Sequence, residues 1–184
     1  NKIPTSLIEY IDFYIDYRKN EMKSTSVKKY NVVKHKLERF EKKRKKKILI
    51  KDVNEDFKKE WVNFLIEEQY AANTMQRELV AIKTFCRHAK FLGLEVSHQL
   101  ESLKLDRVRI DKIYLTFNDL DKIQNIESDK LTDSLINAKD WLIISCYCGQ
   151  RVSDFMRFNS NMIRIEDGRK YIEFTQQKTD KNMT

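Results

Sequence analysis

Apolar residues recur every three or four positions through most of the first half of the chain, the spacing that lines one face of a helix. Leu7, Ile8, Ile11, Tyr14 and Ile15 predict a first helix over residues 4 to about 20, with Pro4 at an early position where its missing N–H has no helical partner. Val27, Tyr30, Val33, Leu37 and Phe40 form the stripe of a second, which Ser24 or Ser26 is placed to cap. The second helix is expected to end in the cationic run 42–47, where like charges repel. A third starts near Asn54 and turns Phe57, Trp61, Phe64 and Leu65 inward. Asn73 reads as the cap of a fourth, with Leu79, Ile82, Phe85, Cys86 and Ala89 on its inner face and Gly93 closing it. Four such helices pack as a bundle, and Phe57, Trp61, Phe64 and Phe85 read as its core rather than as stacking platforms.

The periodicity is lost over residues 99–112, where charges alternate, and this stretch reads as an extended linker. Beyond it, Thr116 and Asp119 have capping-box spacing at the head of a short helix reaching about residue 126. A longer helix is expected over about 129–147 and a short one over 151–158. Residues 162–166 and 169–174 then flank Asp167 and Gly168, a hairpin-turn pair.

Composition narrows the class. Three glycines and one proline in 184 residues favour long helices over a turn-rich β fold. No apolar run approaches the ~18 residues of a membrane span, and no signal peptide opens the chain. The three cysteines lack zinc-type spacing; Cys146 and Cys148 sit too close on one helix to bridge and have no histidine nearby, so no metal or other cofactor is expected. Free thiols point to a reducing, cytoplasmic setting. The net charge is +8 and uneven: residues 1–100 hold 22 Lys and Arg against 14 Asp and Glu, whereas residues 101–184 hold 14 of each. A basic front half is the electrostatic footprint of a nucleic-acid clamp; a lysine-rich solubilising surface is the plainer alternative.

The candidate chemistry lies at Gly149-Gln150-Arg151-Val152-Ser153-Asp154, which sets an arginine at a tight turn with a carboxylate three residues on. A guanidinium fork matches a phosphate bidentately and stays charged at any working pH. The plain reading of that pair is a surface i,i+3 ion pair worth about 0.3–0.5 kcal/mol. The motif is followed by the hairpin and by Gln177-Lys178-Thr179.

In this order, the basic helical front, the linker, the Arg151 turn, the hairpin and Lys178 resemble the tyrosine recombinase (phage integrase) family. The resemblance spans essentially the whole chain and implies a mainly α architecture. Residues 1–98 would be an N-terminal four-helix, SAM-like core-binding bundle and 99–112 the linker. Residues 113–184 would be the N-terminal part of an α+β catalytic domain with a β-hairpin. By the same resemblance Arg151 is the first catalytic arginine, Asp154 its supporting partner and Lys178 the general acid, with Lys181 an alternative register for that lysine. The family's usual Thr before the glycine is Cys148 here.

The expected partner is double-stranded DNA. Lys42, Lys43, Arg44 and Lys45 are candidate phosphate contacts, and Asn73, Thr74, Gln76, Arg77 and Lys83 are candidate contacts from the fourth helix, in a groove-facing stripe with Arg87 and His88. The family's His-x-x-Arg motif, its later His or Trp and its nucleophilic tyrosine have no counterpart after Arg151. His35, His88 and His98 all precede it, and Tyr171 is the one tyrosine that follows.

The chain opens at Asn1 and stops at Thr184 within a strand-like stretch, as expected of part of a longer protein. That whole protein would be a DNA strand-transferase working as a tetramer in synapsis at the nucleoid; this chain alone is expected to be a DNA-binding, inactive monomer. The alternatives are a non-catalytic DNA-binding regulator on the same scaffold and a helical protein-interaction module.

Overall fold

Four apolar stripes in the first half fold as α1 (Leu7–Tyr17), α2 (Ser24–Arg44), α3 (Glu55–Glu67) and α4 (Ala72–Phe91). The structure is a computed structural model that describes residues 3–183, so Asn1, Lys2 and Thr184 lie outside it. Two units form, one ending at Ile110 and the other beginning at Asp111. The core of the first is continuous across all four helices and includes Leu7, Leu37, Trp61, Ile82 and Phe85, each fully buried. Phe57, Phe64 and Cys86 join it. Burial pushes the Cys86 thiol up to about 12, which makes it a small apolar residue rather than a nucleophile.

Several boundaries differ from the sequence reading, each for a tertiary reason. Pro4 precedes α1, which starts at Leu7, because residues 5–7 stay extended against residues 48–50. Leu7 N donates to the Ile48 carbonyl at 2.8 Å and Ile50 N to the Thr5 carbonyl at 3.0 Å. Lys23, not a serine, holds the cap position of α2, and no side chain caps that end. At its other end α2 continues through Arg44. Lys43 pairs with Glu67 and Arg44 with Glu60, and these α3 carboxylates offset the repulsion expected in the run. Lys45 then ends the helix in the left-handed region, at φ 53°.

Asn73 does not cap α4. Ala71 holds that position, and the Asn73 amide instead grips Val108, accepting from its N–H and donating to its carbonyl, both at 2.9 Å. Residues 100–108 are correspondingly not a free tether. Leu100 and Leu103 are buried in the core, and Lys83 Nζ donates to the Glu101 and Leu103 carbonyls at 3.0 and 2.8 Å. Arg87 grips the Glu101 carboxylate through two nitrogens, at 3.0 and 2.5 Å. The stretch is a strap laid along α4. Opposite it, Lys36 on α2 meets Glu78 on α4 at 2.6 Å, both nearly dry.

The second unit has α5 (Phe117–Gln124), α6 (Asp133–Cys148), the one-turn α7 (Val152–Phe155), and strands β1 (Ile163–Glu166), β2 (Arg169–Ile172), β3 (Phe174–Thr175) and β4 (Asn182–Met183). The Thr116–Asp119 capping box forms in full at the head of α5. Residues 129–131 do not join α6, because a separate 3-10 turn precedes it at Ser128–Lys130. The β1–β2 hairpin turns at Asp167 and Gly168, at φ 49° and 72°, the paired positive values a type I′ turn requires. The expected single strand over 169–174 is split: Phe174 leaves the first hairpin and pairs with Met183 in a second.

Tyr10 and His88 tie α1 to α4 through a 2.7 Å hydrogen bond. Burial first, then the neighbouring Cys86 and tyrosines, push the Tyr10 phenol up, so it meets His88 Nδ1 with its proton in place. Burial, and secondarily Arg18, hold the imidazole below its ordinary value of 6.5. Between that lowered folded value and 6.5 the unfolded chain binds the extra proton. Stability contributed by this contact is therefore complete above 6.5 and declines as pH falls below it. Urea midpoints at pH 7.5 and 5.5 should show the decline, and it should shrink in His88→Gln. In the core, Trp61 is fully buried and its Nε1 has no acceptor among the described residues. Trp61→Ala should therefore cost about 3–5 kcal/mol in urea unfolding. Trp61→Phe, which removes the unsatisfied N–H, should cost less than about 2 kcal/mol.

Candidate functional site

Arg151 owes its place to a glycine. Gly149, at φ 60°, closes α6 in the left-handed region, its N–H donating to the Ser145 carbonyl at 2.9 Å. Two extended residues later α7 begins, with Arg151 in its cap position. An aromatic chain holds this corner to the second hairpin. Trp141 on α6 meets Phe155, Phe155 meets Phe158, and Phe158 meets Phe174 on β3, at centroid separations of 6.1, 5.7 and 5.0 Å.

Asp154 is the hub. Its side chain is fully buried; Oδ1 accepts from Gln177 N at 2.8 Å and from Arg157 Nη2 at 3.3 Å. Oδ2 makes no hydrogen bond among the described residues, and Arg151 Nη1 stands 3.9 Å from it. Arg151 Nη1 also donates to Gln176 Oε1 at 3.1 Å, an oxygen that accepts from Thr179 Oγ1 as well. Gln176 Nε2 in turn donates to Gln150 Oε1 at 3.2 Å, and Arg157 reaches the Thr175 carbonyl at 2.6 Å. The turn linking β3 to β4, residues 176–180, is thereby fastened against the Arg151 corner, and Lys178 sits in it. Lys181 lies past the tip, its carbonyl accepting from Gln176 N. Arg151 and Asp154 are thus brought together with the turn that carries Lys178, which lies 27 and 24 residues after them in sequence.

Arg157 and Gln176 were missed in the sequence. Arg157 carried a signal, the i,i+3 spacing to Asp154, whereas Gln176 carried none before the second hairpin was known. The Arg151 side chain remains 46% exposed, so its fork is anchored on one side and open on the other. Such a half-anchored guanidinium can take an anionic oxygen without first reorganising.

The basic residues of the first unit divide. Lys42 and Lys45 are exposed and make no ion pair with a carboxylate among the described residues, whereas Lys43 and Arg44 are drawn onto α3. On α4, Arg77 stays exposed beside Thr74, to whose hydroxyl it donates at 3.3 Å. Gln76 is half-buried. Asn73 and Lys83 are committed to the strap, Arg87 to Glu101, and His88 to the aromatic core, so the expected stripe along α4 is broken. The exposed face of α2 supplies two basic residues the sequence reading passed over, of which Arg39 also pairs with Glu68 at 3.4 Å and donates to the Tyr70 hydroxyl at 3.0 Å. His35 and Arg39 join Lys42 around an open hollow of about 540 Å³ that Tyr70 closes at one side. Their three-to-four-residue spacing opposite the apolar stripe was the available signal.

The sequence profile of the phage integrase SAM-like domain matches residues 6–105. The chain belongs to the phage integrase family. No curated protein and no solved structure matches it. The matched span takes in the four helices and the first part of the strap, as the burial of Leu100 and Leu103 requires. An integrase SAM-like domain is the DNA-binding region of a tyrosine recombinase. Among the described residues no helix is long and apolar enough to cross a membrane, and no cluster of His, Cys, Asp and Glu has the form of a metal site.

In this integrase chain Asp154 should control the second hairpin. Asp154→Ala removes a charged acceptor, worth about 1.5–3 kcal/mol for a bond of this kind, from the Gln177 amide. Hydrogen exchange at Gln177 should then accelerate at least tenfold while amides of α1–α4 stay unchanged; an unaltered Gln177 rate would show that the carboxylate does not hold the turn.

Proposed function

We propose that this chain is the DNA-grasping part of a site-specific tyrosine recombinase that cuts and rejoins DNA through a 3′-phosphotyrosyl intermediate. The observation that carries this reading is the Asp154 hub, which fastens the Lys178 turn beside the half-anchored Arg151 in a chain fronted by an integrase SAM-like domain. In the reaction a tyrosine oxygen, releasing its proton to water, attacks the scissile phosphorus in line, the P–O5′ bond breaks, and the 5′-oxygen leaves with a proton. Arg151 grips the non-bridging oxygens as negative charge builds on them, and Lys178 delivers the proton. Asp154 acts through both as a positioning residue. Phosphoester energy is kept in the tyrosyl link, so religation is the reverse displacement.

Tyr171 is a poor nucleophile. It lies on β2 and its hydroxyl donates to Glu166, which raises its pKa. We assign the attack to a tyrosine outside residues 1–184, so this chain should bind duplex DNA without forming an adduct. Lys42, Lys45, Arg77, His35 and Arg39 are the phosphate-facing candidates, with Thr74 and Gln76 beside them.

The test uses the full-length protein and a nicked duplex that traps the covalent intermediate. Arg151→Ala should lower covalent capture at least about 10³-fold, the scale of losing a charge-stabilising group, and leave duplex affinity within a few fold. Undiminished capture by Arg151→Ala would sink the catalytic assignment. Salt-dependent duplex binding with no adduct from the unaltered protein would favour a regulator built on this scaffold.

A further inference from the structure

The strap does more than cross α4; it encloses a cavity against it. Residues 103–107 and the α4 side chains Gln76, Leu79, Val80, Lys83 and Arg87 surround about 290 Å³. The apolar wall comes from Leu79, Val80, Leu103 and Leu105, and the polar groups are lopsided. Lys83, Arg87, Lys104 and Arg107 bring four cations to the cavity, against Asp106 in its wall and the Glu101 carboxylate that Arg87 holds. Lys104 and Arg107 make no hydrogen bond or ion pair among the described residues, although Asp106 lines the same space.

Lys83 makes the imbalance costly. It is 6% exposed, and only two of its three ammonium protons have acceptors among the described residues, the Glu101 and Leu103 carbonyls. Burial first, then Arg87, depress its pKa, and Lys104 adds to the effect, so the cavity is a place where positive charge lacks compensation.

We propose that this cavity is a seat for a single phosphate group, with Lys104 and Arg107 as its rim clamp, Lys83 as the buried cation beneath it and Gln76 as an amide donor. An apolar wall beside a cationic rim fits a sugar-phosphate unit. Resting on the reading of the chain as a DNA-binding region, the source is one backbone phosphodiester of the duplex. The strap bonds of Asn73, Lys83 and Arg87 hold the seat open before DNA arrives.

The chain of residues 1–184 is tested in two arms. In the first, duplex affinity is measured from 50 to 200 mM salt for the unaltered chain, Lys104→Ala, Arg107→Ala and the double variant. One phosphate shared by two cations predicts that the double variant lowers the log–log slope by about 0.9, a loss of affinity over that range about 3.5-fold smaller than for the unaltered chain. Each single variant should already produce most of the change. Both substitutions lie on exposed side chains, and exchange protection at the Val108 amide verifies that the strap is seated. In the second arm, inorganic phosphate is titrated against the Gln76 side-chain amide signals, which should shift in the unaltered chain and not in the double variant.

A slope change in the first arm supports a backbone phosphodiester. Phosphate-induced shifts without a slope change support a seat for a free phosphate. A slope that falls by about 1.8, with equal and independent shares from the two residues, overturns the shared seat. No change in either arm overturns the proposal. Should the unaltered chain bind no DNA, the DNA-binding reading fails and the phosphate titration alone decides the cavity.

Discussion

A charge withdrawn from water must be met by an opposite charge or by hydrogen bonds, and this chain uses that requirement at three places where distant segments have to meet. Lys36 and Glu78 join α2 to α4 across 42 residues. Lys83 joins α4 to the strap by taking two carbonyls that would otherwise be unpaired. Asp154 joins α7 to the second hairpin through a backbone amide and an arginine. Apolar burial supplies most of the drive to fold, but it is non-directional and tolerates sliding. A dry ammonium or carboxylate does not, because moving it by an ångström strands it. The apolar stripes make the helices adhere, and the three charges set where they stop.

That division explains what was legible in the sequence. Helix number, helix type and the inward faces all follow from local periodicity, and Phe57, Trp61, Phe64 and Phe85 are buried where that periodicity puts them. The Thr116 capping box and the Asp167–Gly168 turn are likewise local, and both form. Misread residues are those whose partners lie far away. Asn73 has every mark of a helix cap, yet Val108, 35 residues later, offers both a donor and an acceptor. Pro4 suits a helix start, but residues 48–50 hold the adjoining segment extended. Lys83 looks like a solvent-facing cation until the strap it serves is in place. Arg151 and Asp154 were legible as a pair by spacing, but Gln176, which completes the anchor, depends on a hairpin that no local signal announces.

The basic excess of the first half is also reorganised by folding. Lys43, Arg44 and Arg87 are bound to carboxylates. Among the first-unit cations with no ion pair among the described residues are Lys42, Lys45 and Lys46 near the end of α2, Arg77 on α4, and Lys104 and Arg107 on the strap. A count of lysines therefore overstates the surface available to a polyanion, because cations tied to carboxylates release fewer counterions on binding.

The strap changes what a linker means here. A flexible tether between two units adds reach, and its disorder must be removed when both units engage one ligand. Residues 100–108 have already lost that freedom, through Leu100 and Leu103 in the core and through the grips of Asn73, Lys83 and Arg87. Only the few residues between Val108 and the Thr116 cap lack such anchoring, and Ile110, Ile113 and Tyr114 among them are highly exposed. Since less chain remains to be ordered, the entropic cost of any one ligand engaging both units falls. Asn73, Lys83 and Arg87 on α4 thereby fix the start of the connection between the two units.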